Sequence, residues 1–144
     1  MKDNEEIILA QWQTCVDMAN ATSQRRDAMN NLFATLNIAL IAATSIVWDL
    51  KSIIMAVGGI ILCGVWLAFV RYFRQLNEAK FEIINDLEKK LPEQPFADEW
   101  KILKKQKNRT EGTKLERVLP IAFILLYITI VAVMVIIKIT EVAS

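Results

Sequence analysis

The sequence holds no histidine, and only four glycines, three prolines and two cysteines in 144 residues. The missing histidine removes the commonest general base and metal ligand. There is also no Ser-x-x-Lys, no glycine-rich phosphate loop after a strand, and no carboxylate pair inside an apolar run. No constellation for catalysis is visible, so neither an enzyme, a cofactor nor a metal site is expected. Cys15 sits among polar residues and Cys63 within an apolar run. Both read as small buried side chains that do not pair with each other. The first thirty residues begin MKDNEE and lack an apolar h-region, which argues against a cleavable signal peptide. A net charge of +1 gives no reason to expect nucleic acid as a partner.

Apolar sequence is what the chain has in excess. Hydrophobic residues make up 54% of it, above the roughly 45–50% of soluble domains. They concentrate in 32–48, 53–72 and 118–137, and about 20 apolar residues suffice to cross a bilayer. The expected fold is all-α, an integral membrane protein with three transmembrane helices. Segment 71–117 carries twelve Lys/Arg and nine Asp/Glu, whereas Lys51 and Lys138 are the basic residues near the opposite face. By the positive-inside tendency, 1–31 is a cytoplasmic amino-terminal helix, 73–117 a cytoplasmic helical segment, and 138–144 a short external tail. The setting this implies is a membrane crossed more than once, with the amino terminus cytoplasmic and the carboxyl terminus external.

No glycine or proline occurs before Gly58, so one helix can run from the polar start into the first span. Asp3-x-x-Glu6 resembles a capping box at its beginning. Ile8, Trp12, Cys15 and Ala19 give this helix an apolar face. After Arg71 a second pattern runs through Phe73, Leu76, Ala79, Ile83 and Leu87 to Leu91, stopped by Pro92 and Pro95. Asp86 and Lys90 are placed as an i,i+4 pair on it. The short link Asp49–Ser52 makes the first two spans antiparallel neighbours, and their polar extensions form a cytoplasmic helical hairpin. Phe96, Trp100 and Leu103 share one face of a further helix beside Lys101, Lys104, Lys105 and Lys107. It suits either an anionic membrane surface or packing on the cytoplasmic bundle. Asn108–Thr113 reads as a loop with Gly112 in a turn, and Pro120 falls in the first turn of the third span.

Polar residues recur every seven positions along the first helix, at Ser23, Asn30, Asn37 and Thr44. Seven residues drift only about 20° around a straight helix, so the four form a seam that enters the membrane. An asparagine amide in hydrocarbon must be satisfied, which turns Asn37 toward protein or water. The seam serves either helix packing or the lining of a pore, and its lack of fixed charge favours packing. Small residues Ala39, Ala43, Gly59, Gly64 and Ala68 allow close helix approach and suggest self-association. The bulky third span suits an outer, lipid-facing place. Arg25 and Arg26 fix orientation and brace neighbouring helices, with Asp27, Glu78 and Glu82 as candidate acids.

The stretch QWQTCVDMANATSQRRDAMNNLFATLNIAL carries a family resemblance. Trp12, Met18-Ala19, Ser23, Arg25-Arg26, Asn31-Leu32-Phe33 and Leu36-Asn37 resemble the small bacterial inner-membrane proteins of the RipA-like octameric membrane protein family. The resemblance implies a homo-octamer in the cytoplasmic membrane without an established enzymatic activity. The expected function is a structural or scaffolding ring that docks a cytoplasmic protein. The alternative is a pore lined by the first helix. Expected partners are other copies of the chain, membrane lipids (anionic ones among them) and an unknown cytoplasmic protein.

Overall fold

The computed structural model describes residues 2–46, 49–105 and 112–143. These form four helices, α1 (Lys2–Ile46), α2 (Leu50–Glu88), α3 (Pro95–Lys105) and α4 (Gly112–Ala143). Their contacts divide the chain into two units. A polar unit comprises Met1–Asp27 with Arg71–Glu111, and an apolar unit comprises Ala28–Val70 with Gly112–Ser144.

In the apolar unit, segments of α1, α2 and α4 share two clusters. Phe33, Trp66 and Val70 pack with Met29, Phe69 and Phe123. Ala56, Cys63 and Tyr127 pack with Leu40, Ile60 and Ile124. Asp49 starts α2 as an N-cap, its Oδ1 accepting the Lys51 N–H at 2.8 Å. Among the described residues, two helices are long and apolar enough to cross a membrane, Lys51–Glu88 and Glu116–Val142. The expected crossing at 32–48 is not one of them. Asn37, Thr44 and Ser45 dilute that stretch, and Val47 and Trp48 at its end lie outside the described residues.

The helix α4 departs from expectation in two ways. It begins at Gly112, so Pro120 lies inside the helix and not in its first turn. The glycine starts the helix instead of a turn, and the rest of the expected loop, 108–111, lies outside the described residues with Lys107. Nor is α4 merely an outer helix. Pro120, Tyr127 and Met134 are buried while Leu125, Ile128 and Ile136 are exposed, so one stripe packs and the remainder suits lipid.

In the polar unit, Ala19 is buried and Ile8, Trp12 and Cys15 are half-buried, on the face that the spacing predicts. Asp3 already lies within α1 and is not its N-cap. The packing face of α2 is rotated from the expected one. Phe73, Ile84 and Glu88 are buried, whereas Ala79 is exposed and Ile83 is 54% exposed. The stripe predicted from apolar residues alone misses the carboxylate, because its burial depends on what it binds.

Candidate functional site

The polar seam of α1 divides between the units. Ser23 is half-buried in the polar unit, and Asn30, Asn37 and Thr44 belong to the apolar one. Asn37 has 0% exposure. Its Nδ2 donates to the Phe33 carbonyl at 2.8 Å. Its Oδ1 accepts from Cys63 Sγ on α2 at 3.2 Å and from the Tyr127 hydroxyl on α4 at 3.1 Å. The Tyr127 proton is shared with the Asn37 carbonyl at 3.2 Å. One amide thus joins three helices. One α-helical advance of seven residues away, Asn30 Oδ1 accepts from Trp66 Nε1 at 2.8 Å. Thr44 is buried and returns its proton to the Ile41 carbonyl at 2.8 Å. Such back-bonding lets a hydroxyl lie in an apolar setting without a cross-helix partner.

Gly59 makes the Tyr127 position available. A Cβ added there would overlap the Tyr127 ring, so hydrogen is the largest substituent the site accepts. Around Gly64 nothing approaches within 4 Å of an added Cβ, and Ala39 and Ala68 are exposed while Ala43 is half-buried. The small residues therefore have two destinations. Gly59 receives a ring within one chain, whereas Gly64, Ala68 and Ala39 lie on its outside.

The polar unit has a second junction, which the sequence pattern does not reveal. Glu88 is fully buried at the end of α2, and its two oxygens accept the N–H groups of Phe96 at 2.9 Å and Ala97 at 3.1 Å. These amides open α3, where Pro95 takes the first position, whose N–H is dispensable. A carboxylate suits that end of a helix in both charge and hydrogen bonding. The local candidate for a cap is Gln94, a poor one. That weak local cap is the signal in the sequence that the acceptor comes from elsewhere. Phe96 then packs its ring against Trp12 at 5.7 Å and Phe81 at 5.8 Å.

Glu88→Ala should strand both amides, at about 1–3 kcal/mol for each group left unsatisfied. Hydrogen exchange should accelerate at Phe96 and Ala97 with a lower thermal midpoint, and Glu88→Gln, which keeps one acceptor, should lie between. Unchanged protection of these two amides in Glu88→Ala would refute the clamp.

The remaining predicted residues sit as follows. Arg25 is exposed, and Arg26 Nε lies 3.8 Å from Asp27 Oδ1 on the same helix. Glu78 pairs with Arg74 at 2.7 Å, and Glu82 is exposed. Asp86 bonds Lys89 at 2.7 Å, while Lys90, the expected partner, acts on it only through its charge. That hydrogen bond, aided by the ammonium charge, holds the Asp86 carboxyl below its ordinary pKa. Both partners are exposed, so the pair contributes little to stability. On α3, Phe96 and Leu103 are half-buried, Trp100 is 47% exposed, Lys105 is exposed and Lys101 bonds Asp98 at 2.7 Å. The Lys104 side chain lies outside the described residues. Among the described residues, no group of three or more His, Cys, Asp or Glu could hold a metal.

The family model described as octameric membrane protein family (8xMP) matches residues 9–137. No curated protein and no solved structure matches the chain. The matched region contains the Arg25-Arg26 motif, the Asn37 junction, Gly59 and the Glu88 clamp, and over this extent the chain belongs to the octameric membrane protein family.

Proposed function

We propose that this chain acts as the repeating part of a non-catalytic octameric scaffold in the bacterial cytoplasmic membrane, presenting a cytoplasmic surface for another protein. Its family makes homo-oligomeric assembly in a membrane the natural setting. In this reading 32–48 supplies a third crossing beside α2 and α4, the amino terminus is cytoplasmic and the carboxyl terminus external. The excess of Lys/Arg in 71–117 supports that orientation.

The observation that carries the scaffold reading is the Asn37 junction. A conducting axis lined by α1 needs polar side chains turned toward it. Asn37 and Thr44 are instead buried within a single chain, with Asn37 bound to α2 and α4. Asn30, half-buried, bonds Trp66 on α2 as well, which supports packing over a lined axis.

Flux measurements on liposomes containing the purified chain test this. Wild-type protein should pass potassium and chloride no faster than empty vesicles do. Ion flux in wild type that Asn37→Ser alters would replace the scaffold with a pore lined by α1.

A further inference from the structure

A groove of about 550 Å³ lies in the polar unit, with Leu9, Trp12 and Pro92 supplying apolar surface and Glu5, Glu6 and Glu93 around them. All three glutamates are exposed, which gives the rim of the groove an acidic character. Elsewhere on the same unit, α3 presents the opposite chemistry. Ile102 is 62% exposed, Trp100 is 47% exposed, and Lys101 and Lys105 are exposed beside them. Lys105 stands three residues beyond Ile102, on the same helical face.

We infer that the acidic groove of one copy receives the basic, apolar-edged end of α3 from the next copy. The inference rests on the eight-copy assembly and names the contact that orders its polar units. A closed ring built from one contact needs two different, mutually complementary patches on every chain. The groove and α3 are such a pair. An exposed isoleucine has an apolar groove to enter, Lys105 has three carboxylates to meet, and Lys101 can exchange its exposed partner Asp98 for one of them. Opposite charges around an apolar centre fix register and exclude like-charged pairings. The contact is heterologous, so it propagates from copy to copy until the ring closes.

Charge reversal in the full-length chain provides the test, with copy number read by native mass spectrometry and light scattering in a mild detergent. One variant carries Glu5→Lys, Glu6→Lys and Glu93→Lys, and another carries Lys101→Glu and Lys105→Glu. Each should raise the protein concentration at half-dissociation by about tenfold, equivalent to about 1.4 kcal/mol, with helicity unchanged. All five substitutions in one chain should restore assembly, because groove and helix are again complementary. A Cys15→Ser background adds a direct readout. Chains bearing Leu9→Cys should form disulfide dimers with chains bearing Ile102→Cys, and neither should cross-link with itself.

Stable octamers in both reversed variants, or failure of the combined variant to recover, overturn the inference while leaving the assembly standing. A wild type that is monomeric overturns the assembly as well. If Lys101→Glu with Lys105→Glu leaves the octamer intact but abolishes binding to phosphatidylglycerol vesicles, α3 is a membrane-surface helix and the groove has no claim on it.

Discussion

Gly59→Ala is expected to lower the thermal midpoint of the purified protein, although alanine is the better helix former by about 1 kcal/mol. The added methyl meets Cζ, Cε1 and Cε2 of Tyr127, a rigid ring held between α1 and α2. Overpacking of this kind costs about 1–3 kcal/mol, enough to reverse the sign of the propensity gain. Gly58→Ala is the internal control, since nothing lies within 4 Å of a Cβ there. It should be neutral or slightly stabilising. Tyr127→Leu added to Gly59→Ala should recover part of the loss, because leucine lacks the three ring atoms that collide. If Gly59→Ala and Gly58→Ala behave alike, the ring does not seat on Gly59 and the packing of α4 must be revised.

The second large effect belongs to Asn37→Leu. Leucine has nearly the shape of asparagine but offers no acceptor, so the Tyr127 hydroxyl and Cys63 thiol both lose the Oδ1 partner they share. The hydroxyl keeps only its longer contact to the Asn37 carbonyl. A buried donor left short of a partner costs about 1–3 kcal/mol. Tyr127→Phe alone should cost less, near the roughly 0.6 kcal/mol average for side-chain hydrogen bonds between membrane helices. Combining the two removes donor and acceptor together, so the double variant should be more stable than Asn37→Leu. Unfolding measured across this double-mutant cycle decides the matter. Strict additivity of the two losses would mean that the 3.1 Å contact contributes nothing.

These two sites were unequally legible in the sequence. Asn37 announced itself, because an amide in an apolar run must find a partner, and its seven-residue spacing from Asn30 and Thr44 placed it on one face. The identity of that partner was not legible. Tyr127 is ninety positions away in the chain, and no local pattern relates it to either Asn37 or Gly59. The same holds for Glu88. Its neighbours Asp86, Lys89 and Lys90 give it the look of a solvated helix face, yet it is the one carboxylate there that is buried.

The sequence by itself determined the helical class, the membrane setting and the family, since these follow from apolar run length, missing helix breakers and a contiguous motif. Such properties are sums over neighbouring residues and survive without knowledge of the fold. Tertiary structure alone decided which faces of α2 and α4 turn inward and which residues they meet. It sent Gly59 to Tyr127 and left Gly64 outside, and it rotated the buried stripe of α2 away from Ile83 toward Glu88. It also committed the Asn37 amide to packing within one chain. The physical reason is common to all of these. A side chain's burial is set by the partner that satisfies or fills it, and that partner lies on another helix.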